Sequence, residues 1–172
     1  MELATLGAAL ADDIRGMFSG DLYRPGDDGY DEARKVKNGM IDRHPALIAS
    51  PEDEAGVSAI VNLAREQGLP LAVRCGGHGV SGHGTCEGGI LLDLSALNSV
   101  EVDPNAKIAR AGGGTTWGEL DEATQQHGLA VTGGRVPTTG IGGLTLGSGS
   151  GWLERTHGLT CDSLMSARMV LA

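Results

Sequence analysis

Apolar residues near the amino terminus recur every three or four positions, which is the spacing of one helix face. Leu6 and Leu10 follow this spacing, and the pattern predicts an amphipathic helix over residues 3–18. The residues that follow, 19–43, are polar and rich in turn-forming types, and we interpret them as a crossing segment. Residues 1–43 therefore form the first predicted region of the chain.

Short apolar runs then predict strands in a second region, residues 44–98. These runs lie at 46–49, at 69–73 and at 90–93. A helical pattern separates the first two runs, so strand, helix and strand form a βαβ unit whose two strands are parallel. We expect this region to fold as a small parallel α/β lobe.

Two helix starts can be recognised from their capping residues. Ser50 as N-cap and Pro51 at the first helical position predict the start of the helix in the βαβ unit, and Gly68 predicts its end. Further along the chain, Thr116 and Glu119 have the spacing of a capping box, which predicts a second helix.

The third region, residues 99–172, predicts antiparallel strands. Runs at 100–103 and 107–111 flank a Pro-Asn turn and predict a hairpin. Residues 129–131 and 164–171 are strand-like as well. The fold class expected for the whole chain is α+β, with a small parallel α/β lobe and a larger, mainly antiparallel lobe.

Composition excludes several classes of partner. The formal net charge of the 172 residues is −9, which argues against nucleic acid, since phosphate backbones require clustered Lys and Arg. No apolar run approaches the ~20 residues needed to span a bilayer, so no membrane partner is expected. The amino terminus lacks the basic and apolar parts of a signal peptide. We therefore expect a cytoplasmic protein.

Glycine is the unusual component, and most of the 29 glycines lie between Gly76 and Gly158. The first cluster, residues 74–82, follows a predicted strand and contains His78 between glycines. Loops without Cβ atoms let a ligand approach the backbone closely, and their N–H groups can bind phosphate oxygens. This pattern predicts a phosphate-bearing cofactor held close to a histidine.

The second glycine-rich cluster, residues 132–151, matches neither of the common nucleotide-binding loops. It has no GxxxxGK[ST] motif and no clean GxGxxG motif after a strand. The hydroxyl groups of Thr138 and Thr139 can still bind a ligand beside the backbone N–H groups. The alternative is a glycine-rich turn between packed elements.

A zinc site is a rival interpretation of the first cluster. Cys75, His78, His83 and Cys86 lie within twelve residues and are ligand types that zinc accepts. Their spacing is not that of a familiar zinc finger, and the glycines between Cys75 and His78 favour close approach of a ligand. Buried, unreactive cysteines are the simpler explanation.

Five stretches, in this order, resemble one family. They are 74–78 (Arg-Cys-Gly-Gly-His), 90–95 (Ile-Leu-Leu-Asp-Leu-Ser), 111–120 (Ala-Gly-Gly-Gly-Thr-Thr-Trp-Gly-Glu-Leu), 133–143 (Gly-Gly-Arg-Val-Pro-Thr-Thr-Gly-Ile-Gly-Gly) and 155–162 (Arg-Thr-His-Gly-Leu-Thr-Cys-Asp). The chain resembles the FAD-linked oxidases of the vanillyl-alcohol oxidase superfamily, in their berberine-bridge-enzyme-like branch. The match runs from about residue 44 to the last residue.

The resemblance implies an FAD-binding domain of the PCMH type, with the flavin extended between the two lobes. It implies one covalent bond, from His78 to the flavin 8-methyl carbon, because Val136 stands where doubly linked members have a cysteine. The residues implied to bind the cofactor are Arg74, Gly76, Gly77, His78, Gly79, Val80, Ser81, Pro137, Thr138, Thr139, Gly140, Gly142, Gly143, Gly147 and Val170.

The implied activity is that of a flavin-dependent oxidase. Hydride would pass from an alcohol or amine carbon of a small-molecule substrate to flavin N5, and dioxygen would reoxidise the flavin. The catalytic base and the substrate domain of the family are not matched in these residues, so we expect the isolated chain to be incomplete, inactive and prone to self-association. The alternative is a non-catalytic flavin-binding module that needs a separate substrate domain.

Overall fold

The computed structural model describes residues 2–171 as a four-stranded sheet, a separate hairpin and several helices. Its strands are Gly20–Tyr23 (β1), Leu47–Pro51 (β2), Leu71–Arg74 (β3), Ile90–Asp93 (β4), Val100–Asp103 (β5) and Ile108–Ala111 (β6). Its helices are Leu3–Ile14 (α1), Tyr30–Ala33 (α2), Glu54–Gln67 (α3), Trp117–Gln125 (α4), Ile141–Leu146 (α5) and Glu154–His157 (α6), followed by the 3-10 turn Thr160–Ser163.

The main sheet has the strand order β1-β2-β4-β3. Both β2 and β3 pair in parallel with β4, which lies between them, so the predicted parallel relation of the βαβ strands is confirmed. Strand β1 pairs antiparallel with β2 at the other edge. It lies in the segment interpreted as a crossing and was not predicted from the sequence.

Apolar side chains are buried on both faces of this sheet. Successive residues of a strand point to opposite faces, so Leu47 packs with α1 and α3 whereas Ile48 packs on the other face. There Ile48 meets Tyr30, whose hydroxyl donates a 2.7 Å hydrogen bond to the Pro45 carbonyl. Because α1 joins this core, residues before the predicted small lobe are built into its packing.

The start of α3 differs from the prediction. Ser50 and Pro51 belong to β2 and pair with β1, and the N-cap is Asp53, whose side chain accepts a 2.7 Å hydrogen bond from the Gly56 N–H. The unrecognised strand β1 extends the sheet over these two residues and delays the helix. The predicted end is confirmed, since Gly68 is the C-cap with a φ of 63°.

In the third region the hairpin β5–β6 and the capping box of α4 are confirmed. Two predicted strands are wrong, because residues 129–131 and 164–171 form no strand. Neither segment pairs with a neighbouring strand among residues 2–171, and an extended chain without a partner leaves its N–H and C=O groups outside any ladder. Paired antiparallel strands in this region are therefore confined to the hairpin within the part of the chain that the structure describes.

Large apolar side chains are exposed mainly toward the end of the chain. They include Leu146, Trp152, Met165, Met169 and Leu171. No helix within residues 2–171 combines the length and apolar character needed to cross a membrane.

Candidate functional site

The first glycine cluster forms a loop directly after β3. Gly77 has a φ of 68°, a conformation that glycine adopts without strain. The backbone N–H groups from Gly77 through Ser81 find no hydrogen-bond acceptor within residues 2–171. A run of free N–H donors on a half-exposed loop is suited to binding an anionic group.

The second glycine cluster packs directly against this loop. A Cβ atom on Gly76 would lie 2.3 Å from the Gly140 nitrogen and 2.6 Å from the Thr138 carbonyl oxygen. A Cβ atom on Gly140 would lie 2.2 Å from the Cys75 Sγ. Only glycine allows the two backbones to approach this closely, so Gly76 and Gly140 have a structural role at the junction of the two clusters.

Backbone hydrogen bonds hold the second cluster against the start of α4. The N–H groups of Trp117 and Gly118 donate to the carbonyls of Thr139 and Pro137, at 2.9 and 2.8 Å. The Ile141 N–H donates at 2.9 Å to the Thr115 carbonyl. Trp117 is itself only 2% exposed, so the cluster is fixed to a buried anchor.

His78 bridges the two clusters through its side chain. Its Nε2 lies 2.8 Å from the Thr138 Oγ1, between residues 60 positions apart in sequence. Desolvation lowers the pKa of His78, and the positive charge of Lys37 lowers it further, while a backbone hydrogen bond at Thr138 raises it. The net effect is a pKa below the ordinary value, which favours the neutral form of the ring.

A third segment, residues 35–38, clamps the histidine loop from the side. The Lys37 N–H donates at 3.1 Å to the Gly77 carbonyl, and the Asn38 side-chain amide donates at 2.9 Å to the Val80 carbonyl. This segment carries no motif and was not predicted from the sequence. Its only sequence signal is a pair of lysines in a polar stretch of an acidic chain.

Arg74 lies beneath the loop and is buried. Its guanidinium donates a 2.7 Å hydrogen bond to Asp93 and a 2.9 Å hydrogen bond to the Lys35 carbonyl. The side chain therefore ties β3, β4 and the clamp together. Beside it lies a cleft of about 350 Å³, whose lining includes Lys37 and Gly76.

The other residues predicted to bind the cofactor are distributed around this junction and beyond it. Gly79 and Gly143 have no atom within 4 Å of a Cβ position, so a ligand has room there, whereas Gly142 faces the Gly113 carbonyl. Gly147 is the C-cap of α5. Val170 lies in the carboxyl-terminal segment that forms neither helix nor strand, and its role stays a prediction.

The four residues of the zinc interpretation are not grouped as metal ligands in the described part of the chain. The Cys86 Sγ is buried in the core and donates to the Ile90 carbonyl, and the Cys75 Sγ donates to the Thr115 carbonyl. His83 is exposed. Residues 2–171 contain no group of three or more His, Cys, Asp or Glu side chains arranged to hold a metal ion.

Residues 45–172 match the protein family described as FAD binding domain. The chain belongs to this family. The expected α+β class, with one parallel and one antiparallel part, is confirmed by the similarity of the chain to solved relatives. The resemblance to FAD-linked oxidases drawn from the five sequence stretches is confirmed as well.

Three relatives illustrate the similarity. The chain is 37% identical over 155 residues to (R)-6-hydroxynicotine oxidase from Paenarthrobacter nicotinovorans, covering 90% of this chain and 34% of that protein. It is 38% identical over 154 residues to an FAD-linked oxidoreductase from Dictyostelium discoideum, covering 89% and 34%. The crystal structure of 6-hydroxy-D-nicotine oxidase from Arthrobacter nicotinovorans has a TM-score of 0.82 at 36% identity, covering 84% and 32%.

The chain thus spans about a third of the length of these relatives. What it contains is an FAD-binding domain of the kind found in flavin-dependent oxidoreductases. The residues at the junction fit such a cofactor. Free N–H donors from Gly77 through Ser81 suit its phosphates, Lys37 adds positive charge, and Gly79 and Gly143 leave space beside them.

Proposed function

We propose that the chain binds FAD across the junction of its two glycine clusters and holds it by one covalent bond at His78. The phosphates lie on the N–H groups of the loop after β3 and on the turn at residues 138–143. Val136 stands beside that turn and offers no thiol for a second bond. Residues 74, 76–81, 137–140, 142–143, 147 and 170 complete the proposed contacts.

One observation carries this proposal. The Nε2 atom of His78 lies 2.8 Å from the Thr138 Oγ1, so this histidine of the first cluster contacts the second cluster. The same histidine lies in the loop where the free N–H donors are grouped. A nucleophilic imidazole beside an anion-binding loop supports attachment of a phosphate-bearing cofactor.

We also propose that the complete protein is an oxidase acting on an alcohol or amine carbon. When bound, flavin would supply the hydride acceptor for this reaction, with dioxygen as the final oxidant. The residues described here bind and orient that group and shield its phosphate end, and His78 keeps it from dissociating. Since the relatives are about three times as long, we place the residues that contact the small-molecule substrate outside these 172 residues.

The test is the absorbance of the purified chain after incubation with FAD and acid precipitation. We expect yellow colour to stay with the precipitate, because a covalent bond survives unfolding. His78→Ala should release all flavin into the supernatant. His83→Ala is the matched control, because His83 lies in the same loop region but is exposed, and it should retain the colour.

Two results would contradict the proposal in different ways. Flavin that binds but is released by acid from the wild type would remove the covalent bond and leave FAD binding intact. A chain that is folded by circular dichroism yet takes up no FAD would remove the binding site as well. Mass spectrometry of the precipitate detects the added mass of one FAD. It therefore distinguishes weak flavin absorbance from apparent absorbance caused by light scattering.

A further inference from the structure

The cleft beside the histidine loop has an excess of positive charge. Three cations line it, those of Lys35, Lys37 and Arg74. Two carboxylates line it as well, and both are already paired, since Asp93 bonds to Arg74 at 2.7 Å and Glu32 bonds to Lys35 at 2.5 Å. Lys37 forms no ion pair within residues 2–171. Its ammonium group is therefore the uncompensated charge of this cleft.

The backbone of Lys37 contacts the loop whose N–H groups are free. Its N–H donates at 3.1 Å to the carbonyl of Gly77, the first residue of the run of free donors that extends to Ser81. The positive charge of Lys37 also acts on His78 in the same run, because it lowers the pKa of that histidine. An unpaired cation and a row of free N–H donors thus lie at one place in the fold.

The charge of the whole chain explains why a local cation matters here. The formal net charge is −9, which opposes the approach of a diphosphate, an anion at neutral pH. Backbone N–H groups orient an anion through their dipoles but carry no net charge. An unpaired lysine ammonium group adds a full positive charge and a donor for charge-assisted hydrogen bonds.

We propose that the Lys37 side chain is the ionic contact for the diphosphate of the cofactor and makes the binding of FAD charge-dependent. This inference rests on the proposed FAD binding, and it is independent of whether a bond forms at His78. The loop N–H groups orient the diphosphate, whereas Lys37 favours a phosphate-bearing ligand over a neutral one.

The test compares FAD with riboflavin, which has the same ring system but no phosphate. Both ligands are titrated into the 172-residue chain and followed by flavin fluorescence, in a His78→Ala background so that no covalent bond obscures the equilibrium. We expect Lys37→Met to weaken FAD binding by about 3–30-fold and to change riboflavin binding by less than about 2-fold. Lys37→Arg, which keeps the charge, should restore most of the FAD affinity.

The salt dependence gives a second measurement of the same contact. Rising sodium chloride concentration should weaken FAD binding, and this effect should be smaller in Lys37→Met because one screened attraction has been removed. The residue 37 N–H that bonds to Gly77 is present in every variant, so a change in the salt dependence reports the side-chain charge.

The control is the double variant Glu32→Gln/Lys35→Met. It removes a charge pair from the same cleft without changing the net charge of the cleft, and we expect its FAD affinity and salt dependence to match those of the background chain. If this variant loses as much FAD affinity as Lys37→Met, a specific contact with Lys37 is contradicted.

Failure of this inference and failure of the proposed function give different results. Equal losses of FAD and riboflavin affinity in Lys37→Met, or no loss of either, would overturn the role of Lys37 and leave FAD binding intact. If His78→Ala alone abolishes binding, the same substitutions are compared by their rates of FAD uptake with His78 present, and an unchanged rate in Lys37→Met overturns the inference. A folded chain that takes up no FAD with His78 present would overturn the proposed function, and this inference with it.

Discussion

Arg74 and Asp93 face each other across paired positions of β3 and β4 and form a buried ion pair of 2.7 Å. Their side chains are 9% and 15% exposed. Asp93 also accepts a hydrogen bond from the Ser95 N–H, and Arg74 bonds to the Lys35 carbonyl. The pair therefore fixes the strand ends from which the histidine loop departs.

Removing one partner of this pair should destabilise the fold strongly. We expect Arg74→Met to lower the free energy of unfolding by about 3–5 kcal/mol, because it leaves a buried carboxylate without its cation. Urea denaturation of the purified variant measures this change.

Two further variants show whether the loss comes from the unpaired charge. The double variant Arg74→Met/Asp93→Leu should recover much of the stability, since it removes both charges. Arg15→Met should cost less than about 1 kcal/mol, because its pair with Asp12 is exposed. Equal effects of Arg74→Met and Arg15→Met would contradict the structural role given to Arg74.

The junction of the glycine clusters should be intolerant of a single methyl group at one position. Gly140→Ala places a Cβ atom 2.2 Å from the Cys75 Sγ and 2.4 Å from the Gly76 nitrogen. The φ of Gly140 is −72°, so the backbone conformation suits alanine and only space is lacking. We expect a loss of about 1–3 kcal/mol in the free energy of unfolding, measured by thermal and urea denaturation.

Gly143→Ala is the matched control for that prediction. No atom lies within 4 Å of a Cβ atom at this position, and alanine favours the helix α5 by up to about 1 kcal/mol. We expect its stability to be unchanged or slightly increased. If both alanine variants lose stability equally, close approach at residue 140 is not the cause.

Lys37 should depress the pKa of His78 through its charge. Lys37→Met should raise the pKa of His78, although desolvation, the larger cause of its low pKa, remains. An NMR titration of the His78 Cε1 proton measures the change. Lys35→Met is the control, because Lys35 pairs with Glu32 at 2.5 Å and adds nothing to the shift.

The same shift predicts how stability depends on pH. A histidine whose folded pKa lies below about 6.5 binds protons more readily in the unfolded state, so its contribution to stability is complete above pH 6.5 and decreases as the pH falls toward the folded pKa. Lys37→Met should make this decrease smaller. A His78 pKa that does not respond to Lys37→Met would contradict the effect of the Lys37 charge on His78.

Tyr30 provides an independent test of the packing on the second face of the sheet. Burial raises its pKa to about 12. We expect stability to decrease as the pH rises above about 10, the ordinary tyrosine pKa, toward 12, because only the unfolded state then ionises readily. Absorbance at alkaline pH, compared with Tyr30→Phe, assigns the late transition to this residue. Ionisation near pH 10 would contradict burial of the hydroxyl against Pro45.

Local sequence patterns were sufficient to predict the elements that depend mainly on interactions between residues close in sequence. The βαβ unit, the hairpin and the capping box at Thr116 follow from apolar spacing and capping chemistry. Strand β1 was missed because its Gly-Asp-Leu-Tyr sequence has no strong pattern and forms only against β2. The same pairing moved the start of α3 from Ser50 to Asp53, so one missed strand caused a second error.

The residues of the candidate site could be predicted from the sequence, but the contacts between its distant segments could not. Glycine content and His78 indicated where a cofactor would lie, and the five motif stretches indicated which family. Nothing local showed that Arg74 would be buried against Asp93, or that residues 35–38 would clamp the loop. These contacts join segments far apart in sequence, and a pattern along the chain does not encode which distant segment will be the neighbour.

The 60-residue separation between His78 and Thr138 has a consequence for when the proposed attachment could occur. The histidine acquires its partner only after both lobes have folded and docked, so attachment would be a late event in maturation. A chain still missing its second lobe would present a free ring and escape modification. The amount of covalently bound flavin in a preparation would then measure the fraction of molecules that completed folding and docking.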